Sequence, residues 1–294
     1  MHVQIRNILA LGFLTAAFAL PAAAQTTPPE TEKPKAENLT KESTKKQKEQ
    51  QAQRNLAPST KDNNKTQTAP TAESVTEAAI VIYGGFGGRK TLDQIRKTTI
   101  EHGKMSLVNT QGLSEPVNYV KWCLRGENLN DEKIRDDLEY PSIRYALVRA
   151  DDKTFGLYND AVFSPRADAT KEFENRIFHG LEALLRYKEN GSTLELTGHE
   201  KIMGVDFFFV DVTDKAGRKT RFYISSKTYR VMMIDYEEDG IKYRRKFYNY
   251  NYAQGTLVPF RTTLTANDKL IEESEILTVT YGQKVDEELF KSGS

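Results

Sequence analysis

The 294-residue chain has one cysteine, one tryptophan and four histidines, and its net charge is only +1. One cysteine cannot form an internal disulfide, so a core rather than covalent staples must hold the fold. Cys123 lies in NYVKWCLRGE beside Trp122. A small buried apolar side chain fits it better than a reactive thiol. Beyond the N-terminal leader the histidines are His102, His179 and His199, and no two stand at the H-x-x-x-H spacing of metal ligands. With a single cysteine there is no zinc motif either, and no cofactor is expected. Near-neutral charge implies no polyanionic partner, so nucleic-acid binding is not expected.

Catalytic patterns are also missing. No G-x-S-x-G occurs; Ser225-Ser226 reads as a hairpin turn and Ser164 precedes Pro165. A hydrolase nucleophile needs a sharp turn with a base in reach. Asp136, Asp137, Glu237, Glu238 and Asp239 could supply paired carboxylates, but acids at hairpin ends are ordinarily solvated. The run Gly84-Gly85-Phe86-Gly87-Gly88-Arg89-Lys90-Thr91 nearly matches a phosphate-binding loop. It fails where Arg89 replaces the second glycine of G-x-x-x-x-G-K-[ST], because a side chain there crowds the backbone nest. The run reads as a helix stop, and an enzyme is not expected.

Long hydrophobic runs are equally scarce. The longest, Ile8 to Leu20, has about 13 residues, short of the ~18–20 that span a bilayer. With Arg6 before it and Ala22-Ala23-Ala24 after it, this is a secretory signal peptide over residues 1–24, cleaved after Ala24. No cysteine follows the junction, so a lipid anchor is not expected. The product is expected to be exported, periplasmic and not membrane-spanning. Residues 25–70 are Pro, Thr, Lys, Glu, Gln and Asn with almost no large apolar side chain. Such a segment buries too little surface to offset its ordering entropy and reads as a disordered linker.

Residues 71–291 remain, enough for one domain with a sizeable core. Ser74-Val75-Thr76-Glu77 reads as a capping box opening a helix, with Val75, Ala79, Ile82 and Phe86 on one face. Strands follow in VNYVKWCLRG, KIRDDLEYP, IRYALVRAD and KTFGLYND, turned at Asp151-Asp152 and Asn159-Asp160. Phe173, Ile177, Leu181, Leu184 and Lys188 recur at helical spacing up to Asn190-Gly191. About seven strands then run from Thr193 to Tyr281, alternating apolar and polar between short turns. Ile241 to Tyr252 changes phase, which predicts a β-bulge near Arg245 or an end buried on both sides. The class is α+β, mainly antiparallel β, with helices covering the apolar face.

Three stretches carry a family resemblance. They are YGGFGGRKTLDQI, KIRDDLEYP…IRYALVRADDKTFGLYND, and the tail from FYISSKTYRVMMIDYEEDG through VPFRTTLTANDKL to VDEELF. Together they resemble the LolA-type fold of periplasmic lipoprotein carriers, and its distant relatives described as outer-membrane lipoprotein-sorting proteins. The resemblance implies an incomplete, half-open β-barrel wrapped around two or three helices, with an apolar cavity for acyl chains. In such carriers an inward arginine and a group of aromatics serve the cavity; no particular arginine of this chain is carried over. The leading function is therefore a soluble periplasmic carrier of a lipid or lipoprotein acyl chain. The alternative is an envelope protein-interaction or sensor module on the same fold, with a protein partner. An outer-membrane barrel is disfavoured because Arg221, Arg230, Lys242, Arg244 and Lys246 would face hydrocarbon, at ~2–4 kcal/mol each near mid-bilayer.

The expected cavity wall comprises Phe208, Phe222, Ile224, Met232, Ile234 and Tyr236 from the later strands. Phe173, Ile177, Leu181 and Leu184 face it from the helix. Both faces of VDFFFV and YRVMMIDY are partly apolar, which suggests more apolar surface than short helices cover, and methionines suit a variable ligand. The leader is tested by sequencing the N-terminus of the exported protein. Gln25 is expected as its first residue, and an uncleaved chain in the membrane fraction would contradict the assignment.

Overall fold

In a computed structural model of the protein, residues 69–108 and 111–292 are described. The segments read from the sequence as a signal peptide, 1–24, and a polar linker, 25–70, lie outside the described residues except for Ala69 and Pro70. Helix α1 (Ala72–Gly84) opens the domain, and α2 (Gly88–Ile95) follows a single 3-10 turn, Gly85–Gly87. Six strands come next: β1 (Thr98–Val108), β2 (Ser114–Leu124), β3 (Lys133–Glu139), β4 (Arg144–Ala150), β5 (Lys153–Tyr158) and β6 (Ala161–Phe163). Helices α3 (Ala167–Phe178) and α4 (Leu181–Leu185) lead to seven more strands. These are β7 (Thr193–Ile202), β8 (Val205–Thr213), β9 (Lys219–Ser225), β10 (Val231–Glu238), β11 (Ile241–Ala253), β12 (Thr256–Ala266) and β13 (Lys269–Tyr281).

All thirteen strands join one antiparallel sheet in the order 6-5-4-3-2-1-13-12-11-10-9-8-7. Each hairpin step is the turn chemistry of the sequence made visible. Asp151, Asp152, Asn159, Asp160, Asn267 and Asp268 all take positive φ, the conformation in which Asn and Asp are least strained. The sheet does not close, because β6 and β7 are both edges. The result is the α+β class expected from the strand and helix patterns, and the half-open barrel that the resemblance implies.

The main core lies between the helices and one face of this sheet. Val75, Ala79, Ile80 and Tyr83 of α1 meet Phe173 of α3, Leu184 of α4, and Phe222, Ile224, Val231 and Ile234 of the sheet. Tyr83 anchors α1: its hydroxyl is 3.0 Å from that of Tyr250 and accepts the Val231 N–H at 3.3 Å. Burial pushes its pKa up to about 12. Two smaller clusters sit on the opposite face. Ala146, Val148 and Ala150 are covered by Val285 and Phe290 of the C-terminal segment. Phe207, Phe209 and Tyr223 gather Met232 and Met233.

Four local readings need correction. The capping box is Thr71 with Ser74, not Ser74 with Glu77: the Ser74 N–H donates to the Thr71 hydroxyl at 3.1 Å, and the Thr71 N–H to the Ser74 hydroxyl at 2.9 Å. Glu77 is engaged elsewhere, 3.0 Å from Arg89 and 2.9 Å from the Tyr187 hydroxyl. The buried stripe of α1 accordingly runs through Ile80 and Tyr83, while Phe86 falls past the helix end and is fully exposed. The second helix breaks at His179-Gly180, where a Cβ on Gly180 would come within 2.8 Å of the Arg176 carbonyl oxygen. Finally, β11 pairs with β12 in one unbroken register past Arg245. Its phase change falls at Asn249, which takes φ 52° and returns Tyr250 to the inner side.

Core and outer cluster are distinguished by truncation. Phe222, 0% exposed, is expected to cost about 3–5 kcal/mol on Phe222→Ala. Met232→Ala, in the outer cluster, should cost about 1 kcal/mol or less. Urea denaturation midpoints of the two variants check the difference; equal losses would place both side chains in one core.

Candidate functional site

Two hollows lie on the helix side of the sheet, and their chemistry differs. The first is an apolar groove of about 410 Å3 over β4, β5 and β6, lined by Ile143, Tyr145, Leu147, Tyr158, Phe163 and Pro165. Arg166 and Ala169, at the start of α3, close one end. The groove exists because α3 begins only after β6 and leaves this end of the sheet uncovered. Phe163 lies across β5 because residue 156 is glycine; a Cβ there would meet the Phe163 ring at 2.2 Å. That ring packs edge-on against Tyr145, with 6.2 Å between centroids. Tyr145 in turn stacks on Tyr140 at 5.6 Å. Ile143, Tyr158 and Phe163 remain substantially exposed. Apolar surface gathered in one concavity, rather than scattered singly, is a candidate ligand site.

The second hollow is a cavity of about 290 Å3 beneath α3 and α4, where β1, β2 and β3 meet β11, β12 and β13. Met105, Ile134, Ile177, Leu181, Leu257 and Ile276 give it an apolar wall. The rest is charged. Arg245 donates to Glu272 at 2.7 Å, and Arg176 stands 3.7 Å from the same carboxylate. Burial opposes ionisation of Glu272, but the two guanidinium groups outweigh it and hold the carboxyl at about 2. Glu182 accepts from Arg96 at 2.7 Å and faces Arg125 at 3.3 Å, and these charges keep its pKa low against the effect of burial. Glu132 pairs with Arg186, yet burial prevails and pushes that carboxyl up to about 7. Tyr119 donates to Glu101 at 2.7 Å. It can do so because residue 103 is glycine: a Cβ there would sit 2.3 Å from the Tyr119 ring. Cys123 borders the cavity, and burial raises its thiol well above the ordinary value, which leaves it protonated and unreactive.

The residues expected from the sequence to line one acyl cavity are therefore divided. Ile177 and Leu181 border the charged cavity. Phe173, Phe208, Phe222, Ile224 and Ile234 belong to the packed core, where α1 and α4 fill the space over them. Leu184 is enclosed with them. Tyr236 is buried between the rings of His179 at 4.1 Å and Tyr243 at 4.9 Å. Met232 lies on the wrong face: it is skipped in the β9–β10 register, between Val231 and Met233, and packs with the outer cluster. Both faces of these strands are apolar because the outer face has a cluster of its own, not because the inner face has apolar surface to spare.

Two sets of residues escaped the sequence. The groove did, because β6 is three residues long and its alternation is too brief to read. So did the inward charges, because a charged residue in a strand is taken to face water. Their phase was nevertheless visible: Arg245 alternates in step with Tyr243 and Phe247, and Lys121 with Tyr119 and Cys123.

No family model and no curated protein matches the chain. Solved structures do. A DUF1329 family protein from Desulfovibrio piger superposes with TM-score 0.55 at 13% identity, over 75% of this chain and 97% of that one. A LolA superfamily protein from Nitrosomonas europaea gives 0.54 at 12%, over 76% and 98%. A domain described as an outer membrane lipoprotein-sorting protein, from Vibrio parahaemolyticus, gives 0.51 at 17%, over 74% and 97%. At these identities the likeness is one of fold, and the chain has a LolA-like fold. Among the described residues no helix is long and apolar enough to cross a membrane.

The depressed pKa of Glu272 ties the charged cavity to acid stability. A carboxyl lowered from 4.5 to about 2 on folding contributes stability above pH 4.5, and that contribution is lost as pH falls towards 2. Glu272→Gln should flatten this part of the acid-unfolding profile. At neutral pH it should cost about 3–5 kcal/mol, because Arg245 loses its buried carboxylate and Arg176 keeps only Glu172. Urea titrations at several pH values read both effects; an unchanged acid profile would show that the pair is not formed.

Proposed function

We propose that the protein is an exported, periplasmic carrier that holds an acyl chain of a lipid or lipoprotein in the groove of β4, β5 and β6. One observation carries this reading: the groove is apolar, concave and left uncovered by the helices, in a LolA-like fold. Removing an acyl chain from water gains about 0.8 kcal/mol per buried methylene, so a modest groove yields useful affinity without any strong polar contact. The outer face of the sheet supports a water-soluble role. Asp211 pairs with Arg221, and Asp235 with Arg244, across neighbouring strands at 2.7 Å. A row of charges of this kind would be costly in hydrocarbon. The carrier performs no bond chemistry in this reading. It lowers the free energy of a chain in transit and releases it where a better apolar site is offered.

A fluorescent fatty acid tests the site. The delipidated protein should bind it saturably, and Ala169→Trp, which fills the groove from a half-exposed position on α3, should weaken binding by about tenfold or more while leaving the melting temperature within a few degrees. Mass spectrometry of the protein purified from its native host should find co-purifying acyl lipid. Absence of saturable binding by the wild type, together with capture of an envelope polypeptide in place of lipid, would replace the carrier with an interaction module.

A further inference from the structure

The charged cavity is not explained by acyl-chain carriage. Its lining includes four cations, Arg96, Lys121, Arg176 and Arg245, and five acids, Glu101, Glu132, Asp136, Glu182 and Glu272. Most are matched within the protein: Glu272 with Arg245 and Arg176, Glu182 with Arg96, Glu132 with Arg186, and Glu101 with the Tyr119 hydroxyl. Two are left. Lys121 and Asp136 stand directly opposite each other on β2 and β3, and both border the cavity. Neither forms an ion pair among the described residues. Asp136 is only 5% exposed, and its Oδ1 is buried without a hydrogen-bond partner. Glu101 extends the same row across β1, opposite Lys121.

Lys121 and the acids opposite it attract one another, yet no ion pair forms and the buried Asp136 Oδ1 has no hydrogen bond, a costly arrangement if nothing occupies the cavity. A lone anion would neutralise Lys121 and crowd Asp136. A lone cation would do the reverse. We infer that this cavity binds a small zwitterion, a molecule with a primary ammonium and a phosphate or carboxylate separated by two or three bonds. The anionic group lies on the Lys121 ammonium and the ligand's ammonium on the Asp136 carboxylate. Opposed side chains on adjacent antiparallel strands have Cβ atoms about 4.5–5.5 Å apart, a spacing that a ligand of this size bridges. The Arg245 Nη2 group, on the same cavity's lining, is likewise buried without a partner. Met105, Ile134 and Leu181 supply an apolar wall for the methylenes between the two charges. The Lys121 ammonium keeps its charge. Burial disfavours the Lys121 charge, but the Asp136 and Glu101 carboxylates outweigh it and raise the ammonium above the ordinary lysine value.

The same chemistry is offered by a free solute and by an aminophospholipid headgroup, and the test separates them. Phosphoethanolamine, inorganic phosphate and ethanolamine are titrated into the full-length protein by calorimetry, with amide shifts on β1, β2 and β3 followed by NMR. Phosphoethanolamine should bind at least about tenfold more tightly than either half-molecule, with shifts centred on Lys121 and Asp136. Lys121→Met and Asp136→Asn, both close in shape, should each remove that advantage. In a second arm the protein is incubated with phosphatidylethanolamine–phosphatidylglycerol vesicles and separated from them. Stoichiometric uptake of phosphatidylethanolamine, lost in Lys121→Met, assigns the site to a headgroup; phosphoethanolamine binding without uptake assigns it to a free solute. If the wild type binds the zwitterion no better than phosphate or ethanolamine and takes up no aminophospholipid, the cavity holds water only and the inference is overturned. That outcome needs no variant to fold, and it leaves fatty-acid binding in the apolar groove untouched.

Discussion

Strand β1 hydrogen-bonds to strand β13, and this pairing of the first strand with the last turns two meanders into one sheet. Six strands run outward from β1 to the edge at β6. The chain then returns across the concave face as α3 and α4, and seven strands run back from the edge at β7. Every other pairing in the sheet joins neighbours in sequence and could form locally. The β1–β13 pairing closes a loop of nearly the whole domain, so its entropy of closure must be recovered from what the joined sheet encloses. Recovery comes from the core under α1, where Tyr83 links a residue near the start of the domain to Val231 and Tyr250 near its end.

The charged cavity lies across this seam. Its floor is drawn from β1, β2 and β3 on one side and from β11, β12 and β13 on the other, and α3 and α4 roof it. The Glu272 carboxylate of β13 is held by Arg245 of β11 and Arg176 of α3. Glu182 of α4 reaches Arg96, at the end of α2, and Arg125, just past β2. A hydrophobic interior would tolerate small shifts of one meander against the other. Paired buried charges do not, because a charge separated from its partner there costs several kcal/mol. The ion pairs thus fix how the two meanders meet. The apolar groove lies at the far edge of the first meander, away from this constraint, where the sheet extends beyond the helices.

The strands were legible because alternation over long runs leaves few choices; the seven from Thr193 to Tyr281 and the turns at Asp151-Asp152 and Asn159-Asp160 stand where the sequence puts them. The helices were legible in place but not in detail. Thr71 and Ser74 are equally good caps by residue type, and only the engagement of Glu77 by Arg89 and Tyr187 decides between them. The site was far less legible. Met232 resembles a cavity methionine until the register step at Val231 and Met233 turns it outward. Arg245, Glu272, Lys121 and Asp136 look like surface charges until the seam encloses them. The groove depends on where α3 stops covering the sheet, which is a property of the assembled fold and not of any local pattern.

The most direct measurement is paramagnetic relaxation from a fatty acid carrying a nitroxide near the end of its chain. An acyl chain in the groove should broaden the NMR signals of Tyr145, Leu147, Tyr158 and Phe163 strongly, and leave Phe207, Phe209 and Tyr223 on the outer face sharp. Broadening centred on the outer cluster, or spread evenly over the surface, would contradict acyl carriage in the groove.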